Sequence, residues 1–392
     1  METDFKKSFI TFSQELYKGE EKINLHRPIF EGNESKYVLE AIESNYVSSV
    51  GKRVDEFEEK IAKYTGLKYA IAVVNGTAAL HVSLQLLDVK QNDEVITQAL
   101  TFIATCNAVS YCGAKPVFID VDRETMGMSP KALMSFLKKN AKEISGKIVN
   151  KNSGREIKAC LPMHTFGFPC QIKEIQEICK EWNIPLIEDC AESLGSYVDN
   201  KHTGKFGRLA TLSFNGNKII TTGGGGMIIT DNNDLARKAK HITTTSKVPH
   251  YYEFIHDEIG YNYRLPNLNA AMGCAQIEML DNFLLAKQEI AEKWEGFFKD
   301  RSVNFFRPLK GFKANNWLNA IILKSKSEKE EFLNFTNDNN IMTRPIWRLM
   351  NELDMYADSQ HDGLKESYWL QDRVVNIPSS VPNGILFKKN KK

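Results

Sequence analysis

From about residue 69 the chain switches repeatedly between two periods, and that alternation fixes the kind of fold it can adopt. Short apolar runs rich in β-branched residues ("KYAIAVV", "DEVITQA", "IKACLPMH") are each followed by a stretch of helical period ("TAALHVSLQLL", "FIATCNAVSYCG", "IKEIQEICKEWN"). Strands that alternate with helices form a mostly parallel sheet covered on both faces, because a parallel neighbour is reached only through a crossover. "PLIEDC" and "LATLSF" read as further strands. Only about a dozen residues separate "LATLSF" from "GMIITD", too few for a crossover helix, so this pair is predicted antiparallel.

A long helical stretch between 265 and 300 leads out of this region, and "WLNAIILKS" with a helix near "EKEEFLNFTND" reads as a smaller α/β unit. The expected division is a large domain with the N-terminal segment over 1–275 and a small C-terminal domain over 276–392. A net charge of +2, with acids and bases interspersed, gives no footprint for nucleic acid or an anionic membrane, and the basic tail "LFKKNKK" reads as a solvated end. No apolar stretch reads as a signal peptide or a membrane span, so a cytoplasmic protein is expected. Seven cysteines, an odd number without a C-x-x-C pair, fit reduced thiols. No metal site is expected. "DVDRETMG" begins like a calcium loop, but Thr125 stands where glycine is needed and Lys131 where the bidentate glutamate should be, so it reads as a strand end and turn.

In an open parallel sheet ligands gather outside the carboxyl ends of the strands. The residues just after each predicted strand are therefore the candidates. After "YAIAVV" comes Asn75-Gly76-Thr77, which reads equally as a capped turn and as an anion site at a helix N-terminus. Phe102, after "DEVITQA", is either core or a ring that stacks on a planar ligand. Asp189 and Glu192, after "PLIE", fit a capping box or a buried carboxylate awaiting a cationic nitrogen. After "LATLSF" comes Lys218, hemmed in by apolar residues and a glycine run, with Ser213 beside it; a desolvated lysine is an imine-forming amine. Phosphate cradle, stacking ring, carboxylate and lysine together are what pyridoxal phosphate needs. The glycines of "TTGGGG" are then expected to let main chain and a bulky substrate crowd the cofactor.

As a set, "NGTAALH", "LTFIATCNAV", "LPMHTFG", "IEDCAESLGS", "SFNGNKIITTGGGG" and "GYNYRLPNLNAA" resemble the sugar aminotransferases of the DegT/DnrJ/EryC1/StrS family, from about "HRPIFEGNESKYVLEAI" to "VVNIPSS". The resemblance implies the fold of the aspartate aminotransferase-like, type I pyridoxal phosphate enzymes, with a mostly parallel sheet in the large domain. It implies that Lys218 holds the cofactor aldehyde and shuttles the proton, that Asp189 keeps the ring nitrogen protonated and that Glu192 meets the ring hydroxyl. Gly76, Thr77 and Ser213 would hold the phosphate, and Phe102 would stack. Asn262 of "GYNYR" would reach the phosphate of a neighbouring subunit, implying a homodimer with shared sites. Ser49 and Gly51 of "VSSVGK", His164, Trp317 and Arg344 are the implied substrate residues.

Glutamate is the implied donor and pyridoxamine phosphate the amino-carrying form. Many members carry an acidic residue in the glycine run and a histidine or aromatic after "SF"; here Gly224 and Asn215 stand there. Both variants resemble a subgroup acting at C4 of UDP-linked 4-keto-6-deoxy N-acetylhexosamines, on the route to bacillosamine or legionaminic acid. The alternatives are a GDP- or dTDP-linked keto sugar, of perosamine or 3-amino type, and a catalytically silent dimer. A dehydratase branch with histidine in place of the lysine is disfavoured by Lys218.

Overall fold

A computed structural model describes residues 3–382, so the basic tail and the last ten residues of the expected small domain lie outside the described residues. The large sheet is built from β1 (Tyr69–Val73), β2 (Glu94–Gln98), β3 (Lys115–Ile119), β4 (Ile157–Leu161), β5 (Ile187–Asp189), β6 (Leu209–Ser213) and β7 (Gly226–Thr230). A three-stranded part, β3-β2-β4, is wholly parallel. A four-stranded part runs β1-β7-β6-β5. Parallel bridges from Cys160 to Leu186 and from Met163 to Asp189 join the two through β4 and β5. The antiparallel element is β7, which pairs Ser213 with Gly226 on one side and Val73 with Gly226 on the other.

Both faces of this sheet are buried, and successive residues of one strand serve opposite cores. Ala70 and Ala72 of β1 pack in a cluster with Phe57 and Cys274, while Ile71 and Val73 pack with Val82 and Leu235. Each such Val or Ile withdrawn from water contributes about 1.5–3 kcal/mol, which is why near-continuous apolar runs settle as central strands. The "DVDRETMG" segment is a turn: Asp122 accepts from the N–H and hydroxyl of Thr125, both at 2.7 Å. All seven cysteines are free. No helix among the described residues is long and apolar enough to cross a membrane.

The helix Asn267–Phe298 carries the chain to a second sheet, in which Asn304–Phe305, Asn319–Ile322, Val374–Ile377 and Arg344–Pro345 are neighbours in that order and pair antiparallel. Of the N-terminal segment, which the sequence reading places with the large domain, the first helix packs here, while Phe57 packs against β1. Phe9 of the Thr3–Leu16 helix stacks on Trp294 (5.1 Å) and meets the edge of Phe332 (4.9 Å), and Tyr17 and Ile23 join the same core. An amphipathic helix goes where its apolar face finds partners, and sequence order does not dictate which sheet supplies them.

Candidate active site

The carboxyl ends of the parallel strands open into a cavity of about 690 Å³, whose far wall comes from the second sheet. At one end β1 runs into the helix Gly76–Leu86. Asn75 is extended and caps the helix by accepting the Ala78 N–H at 2.7 Å, which leaves the first-turn amides of Gly76 and Thr77 without intrahelical partners. A Cβ on Gly76 would stand 3.0 Å from that of Ser213, so glycine lets the turn and the end of β6 close together around the same space. Backbone amides at a helix N-terminus with a hydroxyl beside them suit a phosphate.

At the centre stands Asp189, 2% exposed at the end of β5. One carboxylate oxygen accepts the Thr105 hydroxyl at 2.7 Å and the other the Ala191 N–H at 3.1 Å. Burial drives its pKa above the usual carboxylate range, and Thr105, Ala191 and Lys218 oppose that shift without cancelling it. Glu192 is likewise raised by burial against the pull of Lys218, and its second oxygen accepts the Phe166 N–H at 2.8 Å. Lys218 Nζ lies 3.1 Å from Glu192 and 4.2 Å from the centre of the Trp317 ring. Phe102 is half exposed and lines the cavity; it is no core residue.

An amine held by Glu192, a second buried carboxylate left short of a cation and an amide-lined anion seat therefore share one space. That donor set fits pyridoxal phosphate: an aldehyde for Lys218, a ring nitrogen for Asp189 and a phosphate for the helix end. Arg344 is exposed at the rim, anchored to Asn337 Oδ1 and Thr343 O at 3.2 Å, and Trp317 is buried in the wall.

Other expected residues stand elsewhere. His164 does not line the cavity. It is fully buried on the opposite side of β5, 3.1 Å from Glu188, and its Nδ1 accepts the Cys170 N–H at 3.2 Å. Ser49 and Gly51 do not line the cavity of their own chain: Ser49 is half-buried, and Gly51 is glycine because a Cβ would strike Asn267 at 2.3 Å. Asn262 is exposed and bridges to Thr244, outside the cavity. The glycine run meets close neighbours at two of its four positions. A Cβ on Gly226 would meet the Asn75 backbone at 2.4 Å, so main chain does crowd in there, while one on Gly225 would meet the Thr222 hydroxyl at 2.2 Å. Thr105, Trp347 and Arg348 line the cavity and were missed. Thr105 lies inside the quoted "LTFIATCNAV", one helical turn after Thr101, and that spacing was its available signal.

The model of the DegT/DnrJ/EryC1/StrS aminotransferase family matches residues 28–382. The chain belongs to this family. It is a pyridoxal phosphate-dependent sugar aminotransferase. The chain is 37% identical over 359 residues to the GDP-perosamine synthase of Escherichia coli O157:H7, covering 91% of this chain and 93% of that one. It is 34% identical over 362 residues to the GDP-perosamine synthase of Vibrio cholerae, covering 91% and 94%. Among solved structures, the aminotransferase TlmJ from Streptoalloteichus hindustanus shares the fold, with a TM-score of 0.83 and 24% identity over 91% of this chain and 93% of that one.

Proposed function

We propose that this aminotransferase moves the amino group of glutamate to C4 of a GDP-linked 4-keto-6-deoxy sugar, as a homodimer in which Asn262 serves the neighbouring subunit's phosphate site. The observation that carries the choice of nucleotide is identity of 34–37% over 91% of the chain to GDP-perosamine synthases. The UDP-linked N-acetylhexosamine reading rested on Asn215 and Gly224. Asn215 lines the cavity of its own chain and Gly224 does not, so only one of the two supports stands on that wall.

Bound in this cavity, pyridoxal phosphate supplies an aldehyde that accepts an amine and a protonated ring that takes up the electron pair left by a departing proton. The residues do the rest. The amides of Gly76 and Thr77 and the Ser213 hydroxyl hold the phosphate, and Phe102 covers the ring. Asp189 stays ionised opposite the ring nitrogen, since a cation within hydrogen-bonding reach offsets the burial that otherwise raises it. The Lys218 amine takes the proton from the donor's α-carbon and returns one to C4 of the sugar. Glu192, 3.1 Å away, holds that amine in line. Trp317 and Arg344 face the sugar nucleotide from the far wall.

The test is release of 2-oxoglutarate from glutamate against GDP-, UDP- and dTDP-linked 4-keto-6-deoxy sugars. Turnover with the GDP sugar at kcat/KM at least about tenfold above the others, a difference of about 1.4 kcal/mol, is expected. Preference for the UDP N-acetyl sugar would overturn the nucleotide assignment.

A further inference from the structure

In the second half of the Asn267–Phe298 helix sits a lysine that no carboxylate among the described residues answers. Lys287 is 1% exposed. Its amine donates to the carbonyl of Trp317 at 2.8 Å and to the carbonyl of Ser379, and among the described residues no acidic group comes within ion-pairing distance. Burial alone pushes its pKa well below the usual amine range. Two carbonyl acceptors match the two N–H groups of a neutral amine, whereas an ammonium would leave a third donor unmet in the interior. An isolated buried amine is costly to keep, so the contacts it makes need an account.

Those contacts all lead to one wall of the active site. Trp317, whose carbonyl Lys287 holds, is strapped at three further points. Its N–H donates to Asn315 Oδ1 at 2.9 Å, its indole N–H donates to the carbonyl of Asn217 at 2.6 Å, and its ring lies 4.2 Å from Lys218 Nζ. Asn217 is the residue just before Lys218. Ser379, the other acceptor, donates its N–H to the carbonyl of Leu25 at 2.7 Å, and Leu25 also lines the cavity. His26 follows Leu25 and presents its ring edge-on to Trp317 at 6.4 Å.

We propose that Lys287 is a positioning residue for the transamination: through the carbonyls of Trp317 and Ser379 it clamps the Trp317 and Leu25 walls onto the Asn217–Lys218 turn and fixes the direction in which the Lys218 amine points. The inference rests on the reading of Lys218 as the proton-moving amine. Lys287 touches neither substrate nor cofactor. Its influence passes through the indole, and the charged or titratable groups facing that indole are Lys218 and His26.

A double-mutant cycle on the loaded enzyme tests this. Lys287→Met is expected to slow single-turnover amino transfer from glutamate by about ten- to a hundredfold, the cost of moving a reacting group by about 1 Å, with the Kd for glutamate within about twofold. Lys287→Gln, which keeps two uncharged N–H donors, should recover most of the rate. In a Trp317→Phe background, where the indole donor is gone, the Lys287→Met effect should shrink below about threefold. The near-UV dichroism of the cofactor-free Lys287→Met protein should lose tryptophan signal. A wild-type rate in Lys287→Met, equal losses in both backgrounds, or an unchanged dichroism would each overturn the clamp. Lys218→Ala separates the two readings: if that variant kept the wild-type rate, the role of Lys218 itself would fail, whatever Lys287 does.

Discussion

Glu188 and Asp189 are consecutive residues of β5, both buried, facing opposite sides of one sheet, and they have opposite fates. Glu188 accepts from His164 at 3.1 Å and from the N–H groups of Gly204, Phe206 and Gly207 at 2.8, 2.7 and 2.6 Å. Burial alone would raise its pKa, yet His164 and those amides hold it below the usual range. Among the described residues Asp189 accepts hydrogen bonds to its carboxylate from Thr105 and Ala191 alone, and even with the charge of Lys218 nearby burial leaves it above that range. A buried carboxylate whose lone pairs are filled by the chain belongs to the architecture. One left short waits for a cation from outside, and the cavity lies on that side. The same contrast places His164: paired with Glu188, it belongs to the filled side.

The comparison can be broken most decisively at Lys218. Lys218→Ala should lower turnover by about 10⁴-fold, since proton transfer alone is worth up to that much. Next comes Asp189→Asn, expected to cost about 10²–10³-fold in kcat by removing the charge opposite the ring nitrogen. Its stability effect should have the reverse sign. With the folded pKa of Asp189 above its unfolded value, the cofactor-free protein loses stability as pH rises from the ordinary carboxylate range through the folded value. Asparagine removes that penalty, so cofactor-free Asp189→Asn should outlast wild type against urea at pH 7. If it unfolds earlier, the contrast with Glu188 is wrong.

Glu188→Gln should behave oppositely: a loss of about 3–5 kcal/mol in stability, the cost of breaking a buried pair, with little change in turnover per folded molecule. Because the Glu188 pKa is depressed, the stability it contributes is present above the unfolded carboxylate range and disappears as pH falls through the folded value. Urea midpoints measured from pH 7 downward should therefore converge for wild type and variant at the acid end. A parallel pair of curves would show that His164 and the amides do not depend on the Glu188 charge.

Much of the cavity side was legible beforehand, because strand period locates the carboxyl ends and the residues there are few. The antiparallel β6–β7 pair followed from loop length alone. What sequence could not supply was the side to which a strand-end residue turns. His164 follows β4 and Asp189 ends β5, and it is Met163 that pairs with Asp189, so a single-residue phase separates a structural partner from a site. Which backbone comes close at Gly226 was hidden for a related reason: it belongs to Asn75, far away in the chain, and no local pattern announces it. Lys287 and the Thr3–Leu16 helix likewise depend on partners from distant segments.

Thr105 sharpens the comparison at its finest grain, since it supplies one of the two bonds that keep Asp189 from being wholly unanswered. Its hydroxyl is itself 2.9 Å from that of Thr101, and both are buried, so the donor direction toward Asp189 is fixed by a second hydroxyl. Thr105→Val keeps the shape and removes the donor. A hydrogen bond to a charged group is worth about 1.5–3 kcal/mol, smaller than the Glu188 pair, and its loss should raise the Asp189 pKa further. If Asp189 meets the ring nitrogen as proposed, a more basic carboxylate would draw that nitrogen's proton toward itself, and the ring would be a weaker acceptor of electrons. We expect kcat to fall by roughly tenfold or more, with KM for glutamate little changed, and Thr105→Ser to restore it, since serine returns the hydroxyl without the methyl. A Thr105→Val enzyme with unaltered kcat and an unaltered pH dependence of its cofactor absorbance would mean that the Ala191 amide and the ligand's own charge suffice, and that the shortfall at Asp189 needs no tuning from the helix behind it.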